Sequence, residues 1–230
     1  MKRHNEIIFA IFVLALATLA CNAVTGGGGG GGEPTGPTST PSPVVIFSDD
    51  FSSAQWGTGT DADSSVEYAS SALQMIVYTT DYFVWSTPND ESYQNIHMEV
   101  TALNNGSDST TAFGLMCNKQ VGNDNSFYYF AVTPAGQYAI AKATTGESDV
   151  ILTNNAEWEF SDLIPTDAAS YNVGADCGNG TLTLYVNGQQ IASVSDASYV
   201  SGGVALFVFT GDEVVSSNIS FDDFLMTELP

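Results

Sequence analysis

From Val44 onward, apolar and polar residues alternate in short runs that are separated by turn residues. The segment Thr181–Val186 alternates with period two, and Asn187-Gly188, a pair that favours the type I′ hairpin turn, follows it directly. Residues 189–194 then predict the returning strand of a hairpin. After Val44 an apolar period of 3.6 residues never persists for three turns, so the pattern predicts strands.

The same alternation predicts strands along the rest of the chain. They lie at residues 44–47, 72–78, 82–86, 95–103, 111–118, 127–133, 137–143, 150–153, 171–177, 203–210 and 218–226. Many short strands without a repeat of fixed period are typical of an antiparallel sandwich, of which the jelly roll is a large form. We therefore predict an all-β fold, an antiparallel jelly-roll β-sandwich, for residues 44–230.

Residues 1–20 predict a lipoprotein signal peptide. Lys2 and Arg3 precede an apolar run over residues 7–19, which is short for a membrane-spanning helix and typical of a secretory signal. The run ends in Thr18-Leu19-Ala20-Cys21, which resembles the lipobox of bacterial lipoproteins and implies a lipid on Cys21. The alternative is a plain signal peptide that is cut nearby. We expect an exported protein that is anchored to the membrane at the cell surface by this lipid alone.

Residues 21–43 predict a disordered linker. Gly26 to Gly32 form a run of seven glycines, and residues 33–43 are rich in proline, threonine and serine. The glycine run has no Lys-Ser/Thr after it, so a phosphate-binding loop is disfavoured. Such a composition behaves as a flexible tether that passes into a stiffer spacer.

The charge of the chain limits its partners. It has 4 Lys+Arg against 26 Asp+Glu, a formal net charge of −22, although charged residues make up only 13%. The acidity therefore reflects a lack of basic residues, and after removal of the signal peptide only Lys119 and Lys142 remain. This charge repels phosphate backbones and excludes nucleic acid as a partner. We expect a neutral glycan or another surface polymer.

Cys117 and Cys177 are candidates for a disulfide. Each shares its alternation phase with apolar residues of its own predicted strand, so both should point into the core. Export permits a disulfide between them, and two buried free thiols are the alternative.

Three groups of segments resemble concanavalin A-like lectin/glucanase jelly rolls. The groups are residues 113–117 with 125–132 and 136–142, residues 176–188, and residues 202–206 with 219–224. Their order is similar to that in the laminin G-like and 3-keto-disaccharide hydrolase-like domains of bacterial surface lipoproteins. The resemblance covers Val44 to Leu229 and implies the jelly-roll fold. Because this superfamily includes lectins, glycosidases and domains without a known ligand, function depends on the site itself.

Aromatic rings stack on the apolar faces of sugars, while amides and charged groups bind the hydroxyls. The candidate ligand-binding residues are therefore the aromatic Tyr82, Trp85 and Tyr129 and the polar Glu99, Asn118 and Lys142. Packing in the core is the alternative for most of the rings.

The segment 157–162, Glu-Trp-Glu-Phe-Ser-Asp, resembles the Glu-x-Asp-x-x-Glu motif of retaining endoglucanases, with the acid types exchanged. A solvated acidic loop that is anchored by Trp158 is the favoured interpretation. His97 is the single histidine after the signal peptide, and no Gly-x-Ser-x-Gly elbow is present. We predict non-catalytic binding without an organic cofactor. A glycoside or 3-keto-glycoside hydrolase and a structural or protein-interaction module are the alternatives.

Acidic pairs near the two terminal strands indicate a structural calcium ion. Asp49-Asp50 follows the first predicted strand and Asp222-Asp223 lies in the last, and calcium prefers carboxylate and other oxygen ligands. Asp49 and Asp222 are the predicted side-chain ligands. Two solvated acidic pairs are the alternative, and Asp61, Asp63 and Asp124 are weaker candidates.

Overall fold

The computed structural model describes residues 42–122, 126–212 and 216–229, apart from the side chain of Asn155. It confirms the all-β sandwich, since the described residues form two antiparallel sheets. The predicted signal peptide, Cys21, most of the linker and Asp124 lie outside the described residues.

Short strands and one 3₁₀ turn (Asn154–Ala156) account for the regular structure of the described part. The strands are β1 (Val45–Asp49), β2 (Gly59–Thr60), β3 (Ser64–Ala69), β4 (Ala72–Val77), β5 (Tyr82–Ser86), β6 (Ile96–Asn104), β7 (Ala112–Lys119), β8 (Phe127–Val132), β9 (Gln137–Ala143), β10 (Val150–Ile151), β11 (Glu159–Phe160), β12 (Ser170–Gly178), β13 (Thr181–Val186), β14 (Gln189–Ser195), β15 (Gly203–Thr210) and β16 (Ser217–Glu228).

The two sheets contain nine and seven of these strands. Sheet A has the order β14-β13-β12-β6-β16-β4-β3-β2, and β1 pairs with the second half of β16. Sheet B has the order β10-β9-β8-β7-β15-β5, and β11 pairs with the beginning of β9. The chain crosses repeatedly between the sheets, and its first and last strands lie side by side in sheet A.

Each predicted strand is present, with ends that differ by one or two residues, while β2, β3 and β11 were missed. The β3 strand begins with two serines, which no apolar pattern marks. Ser64 and Ser65 are nevertheless buried, and the Ser65 hydroxyl lies 2.9 Å from that of Thr60 on β2. The predicted hairpin turn is confirmed, because Asn187 and Gly188 both have positive φ, 51° and 74°.

The main core lies between the sheets. It contains the side chains at alternate positions of their central strands. Met98, Phe113, Phe130, Tyr171 and Phe221 are among its fully buried members. Burial of each such side chain contributes about 1.5–3 kcal/mol. The predicted disulfide is confirmed as well, and it crosses this core from Cys117 on β7 to Cys177 on β12.

Candidate functional site

The outer face of sheet B, the face turned away from sheet A, carries a second apolar cluster. All six residues of β8 are buried, although alternate residues of a strand point to opposite faces. Tyr128 and Phe130 enter the main core, whereas Phe127, Tyr129 and Ala131 belong to the outer cluster. Sheet B is therefore apolar on both faces, which explains why its strands read as nearly continuous apolar runs.

Aromatic side chains dominate this outer surface, which we call the aromatic face. Its members come from β5, β8, β15 and the segment before β11, and they are Phe83, Trp85, Phe127, Tyr129, Trp158, Phe207 and Phe209.

Phe83 is the central ring of the aromatic face. It stacks on Phe207 with ring centroids 4.8 Å apart and an interplanar angle of 8°, and it meets Tyr129 edge-on at 5.9 Å. Two strands separate β5 from β8, so these rings approach each other across β15 and β7. On β7 the intervening residue is Gly114, where a Cβ atom would lie 2.0 Å from the carbonyl oxygen of Phe130. Glycine at this position therefore permits the close approach of the β8 backbone, while the Phe207 ring would lie in ordinary contact, 3.5 Å from such a Cβ atom.

A central cavity of about 260 Å³ opens between these rings. Its lining is apolar apart from one carboxylate and one phenol, and consists of Phe83, Ala112, Tyr129, Ala131, Asp149, Ile151, Trp158, Phe207 and Phe209. A second cavity of about 290 Å³ adjoins it and shares Ala112, Trp158 and Phe209 with it. The other lining residues of the second cavity are mostly polar and include Thr110, Gln137 and Asp212. Trp158 thus stands between an apolar and a polar compartment.

The polar groups of the central cavity are Tyr129 and Asp149. The Tyr129 hydroxyl donates to Oδ2 of Asp149 over 3.0 Å. Burial, together with the neighbouring Asp149 charge, raises the pKa of Tyr129 well above its usual range, so its hydroxyl remains a donor. Among the described lining residues, each of the two cavities has one carboxylate, Asp149 in the first and Asp212 in the second.

The structure brings Trp85 and Tyr129 together on the aromatic face. Tyr82 has the opposite phase on β5 and packs against the main core. A third cavity of about 500 Å³, along the edge of β5, is lined by both Tyr82 and Trp85 and shares Phe83 with the central cavity. Glu99 lies on the outer face of sheet A, on the other side of the sandwich.

Lys142 and Asn118 lie at one end of the sandwich, under the segment 196–201. Lys142 Nζ donates to Asp196 Oδ2 and to Ser198 Oγ, each over 3.0 Å. Burial opposes ionisation of Asp196, but hydrogen bonds from Ser198, Tyr128 and Lys142 outweigh it and lower the pKa of this carboxyl. Asn118 Nδ2 donates to the carbonyl oxygen of Tyr199 over 2.9 Å. Both side chains therefore hold the segment 196–201 in place, away from the aromatic face.

His97 forms a polar network on the outer face of sheet A. Its Nδ1 lies 2.6 Å from Asp176 Oδ1 and its Nε2 lies 3.1 Å from Glu99 Oε1, and Tyr185 donates to Asp176 Oδ2 over 2.8 Å. The hydrogen bond with Asp176 raises the pKa of His97 against the opposing effect of burial, and Glu99 adds to the rise. The two flanking carboxylates thus favour the protonated form of the imidazole.

The predicted calcium ligands already have protein partners. Asp49 accepts from the backbone N–H of Phe51 over 2.8 Å and from Trp56 Nε1 over 3.1 Å. Asp222 accepts from the backbone N–H of Asp223 over 2.9 Å. Within residues 42–122, 126–212 and 216–229, no group of three or more His, Cys, Asp or Glu residues is arranged to hold a metal ion. Calcium binding stays a prediction.

The acidic segment 157–162 contributes to the site through its tryptophan. Trp158 lines both cavities, while Glu159 Oε2 accepts a hydrogen bond from Tyr138 over 2.5 Å. Sequence reasoning missed Phe83, Phe207, Phe209 and Asp149. A signal was present, since both phases of β5 and of β15 are apolar, which predicts a sheet that is covered on both faces.

No family model and no curated protein sequence matches this chain. Among solved structures, the chain is similar to the carbohydrate-binding module CBM66 from Bacillus subtilis, with a TM-score of 0.58, 15% identity, and coverage of 76% of this chain and 96% of the module. It is also similar to a galectin-like protein of unknown function from Bacillus subtilis (TM-score 0.59, 10% identity, coverage 80% and 96%). A Bacillus licheniformis β-glucanase has a TM-score of 0.51 and 10% identity, with coverage of 80% and 98%.

These similarities confirm the concanavalin A-like lectin/glucanase fold. The finer resemblance to laminin G-like or 3-keto-disaccharide hydrolase-like domains stays a prediction. Within the described part of the chain, no helix has the length and hydropathy that crossing a bilayer requires.

Proposed function

We propose that the protein binds a glycan without catalysis and that the aromatic face of sheet B is the binding surface. The central cavity carries this proposal, because its walls are aromatic rings and a hydrogen-bond acceptor, Asp149, lies among them. Rings of this kind stack on the apolar faces of sugars, and a few polar groups then set the orientation. The fold is shared with a carbohydrate-binding module and a β-glucanase, which supports a glycan as the ligand.

The arrangement of carboxylates favours binding over hydrolysis. Glycoside hydrolases commonly use two carboxyl groups, about 5–5.5 Å apart in retaining enzymes and about 6.5–9.5 Å apart in inverting ones. On the aromatic face, the described lining of the central cavity supplies Asp149 and that of the adjoining cavity supplies Asp212, so neither cavity holds a pair of carboxylates. Glu99 lines a separate cavity with Asp49, Asp50 and Asp223, away from the aromatic rings. A protein-interaction module is less favoured, because the aromatic face encloses cavities.

The proposal includes an exported protein that is held at the cell surface by a lipid on Cys21, with residues 21–43 as its tether. The acidic composition favours a neutral glycan over an anionic one. A calcium ion near Asp49 and Asp222 would have a structural role, since β1 and β16 belong to sheet A and the aromatic face belongs to sheet B.

A glycan array, probed with the full chain in calcium and again in a chelator, tests the proposal. Trp158→Ala removes a wall shared by both cavities, and we expect it to weaken binding at least about tenfold. Phe160→Ala is the matched control, since this ring is 71% exposed and lines neither cavity. Absence of binding to every glycan, or equal losses in the two variants, would overturn the proposal.

A further inference from the structure

The chemistry of the central cavity restricts which sugars it can take. Two of its floor residues, Ala112 and Ala131, are 2% and 0% exposed, and its walls include Phe83, Phe207 and Phe209. Its volume of about 260 Å³ is below the 300–1,000 Å³ of typical ligand sites. The cavity therefore suits one substituent or one ring, and the rest of a glycan chain would lie outside it.

An unsubstituted hexose is a poor occupant of such a space. Each of its hydroxyls loses water on entry, and a hydroxyl left without a partner costs about 1–3 kcal/mol. The lining offers the hydroxyls few partners, because Tyr129 already donates to Asp149. A group that combines a methyl with a single N–H donor matches the lining better.

Asp149 distinguishes between the methyl-bearing substituents of sugars. Tyr129 uses Oδ2 of this carboxylate, so Oδ1 can accept a hydrogen bond from a ligand. A 6-deoxy sugar would offer its methyl group without a donor attached to the same substituent. An acetamido group offers both a methyl for the apolar walls and an N–H for Asp149. In its trans amide the carbonyl oxygen lies opposite the N–H, on the side of the sugar ring, so it can keep its contact with water outside the cavity.

We infer that the bound glycan contains an N-acetylhexosamine, whose acetamido methyl enters the central cavity and whose N–H donates to Asp149. The inference rests on the proposed function and narrows it to a sugar class. The polar second cavity, with Thr110, Gln137 and Asp212, takes hydroxyls of the adjoining part of the glycan.

Calorimetry with the full chain and matched probes tests this inference. One pair consists of the β-1,4-linked trimers of N-acetylglucosamine and of glucose. The other pair consists of the monosaccharides N-acetylgalactosamine and galactose. We expect the acetylated member of at least one pair to bind about tenfold more tightly, because a charge-assisted hydrogen bond and the methyl burial are both gained. Glucosamine oligomers control for charge, since an acidic protein attracts their amines without the acetyl group.

Two variants test whether the preference for acetylated probes arises in the central cavity. Asp149→Asn should reduce the preference for the acetylated probe at least threefold, because the carboxylate charge is lost from the acceptor. Glu147→Gln removes a carboxylate charge from an exposed position two residues away, which lines neither cavity, and should leave the preference unchanged. Thermal melting of each variant establishes that it is folded.

The outcomes separate the inference from the proposed function. Equal binding of acetylated and plain probes, with a loss in Trp158→Ala, would overturn the acetamido assignment and leave glycan binding standing. A preference for L-fucose over L-galactose, without one for acetylated sugars, would replace the acetamido group by a simple methyl. If none of the glycans binds, both fail.

Discussion

Tyr128 and Tyr129 are neighbours on β8, yet they serve opposite faces of sheet B. Tyr128 is buried in the main core and donates to Asp196, whereas Tyr129 belongs to the aromatic face and donates to Asp149. Sequence alone identifies both as strand residues. It does not show which of the two tyrosines faces a ligand. Apolar residues occupy both phases of β8, so the alternation no longer distinguishes the two faces of the strand.

The structural role of Lys142 can be tested through its ion pair with Asp196. Because its ammonium group bonds Asp196 and Ser198, Lys142→Gln should lower the free energy of unfolding by about 1–2 kcal/mol and leave glycan binding unchanged. Urea unfolding measures the first effect and calorimetry the second. A double-mutant cycle with Asp196→Asn should show a coupling of about 1 kcal/mol. Weakened glycan binding, or no coupling, would contradict this structural role.

The His97 network predicts a pH dependence of stability. Since folding raises the pKa of His97, the stabilisation is fully present below its unfolded pKa of about 6.5 and is lost as pH rises through the higher folded pKa. Asp176→Asn should therefore cost about 1.5 kcal/mol in unfolding free energy at pH 5.5–6 and less at pH 9.

Urea unfolding at these pH values measures the difference for Asp176→Asn. The control is Asp63→Asn, at an exposed carboxylate of the turn before β3, and it should show no such pH dependence. A cost for Asp176→Asn that is constant between pH 5.5 and 9 would show that His97 is neutral in the native state.

At the scale of elements, the alternation of apolar and polar residues predicts where most strands lie. It predicts only in part which residues of these strands are buried. It identifies β13 and β14 together with their turn, since one face of that hairpin is polar. It misses β3, whose two leading serines are buried through hydrogen bonds instead of apolar contact. It also misses β11, a two-residue strand that exists only through its pairing with β9. The same limit applies to the candidate site. Trp158 lies directly before β11, in a segment that the alternation predicts as a loop, so the sequence predicts the site only in part.

The disulfide is the covalent link between the two sheets. Loss of the disulfide bond in the variant Cys117→Ser/Cys177→Ser should lower the free energy of unfolding by about 3–4 kcal/mol, because the unfolded chain regains the freedom of a loop with a sequence separation of 60. Urea unfolding of the variant, and of the natural protein with and without reductant, measures the effect. A reductant should change only the natural protein. Equal stability of the oxidised natural protein and the variant would contradict the prediction.

At the scale of the whole molecule, a formal net charge of −22 is carried by a chain with few basic residues. Repulsion among the carboxylates opposes the compact state and is screened by salt. A rise in sodium chloride from about 10 mM to about 500 mM should therefore raise the melting temperature by several degrees. A neutral glycan should bind with affinities that agree within about twofold over the same range. A steep decrease in affinity with salt would indicate a cationic ligand instead.

The most direct test of glycan binding on the aromatic face is NMR titration of the protein with alanine methyl groups labelled. Ala112 and Ala131 form the floor of the central cavity, so their methyl resonances should shift most when the glycan identified on the array is added. With ¹⁵N labelling in the same sample, the backbone amides of Thr101 and Asn172, whose side chains lie on the outer face of sheet A, should remain unchanged. Shifts that centre on Thr101 and Asn172, with Ala112 and Ala131 unaffected, would place the binding site on the other sheet and contradict the account.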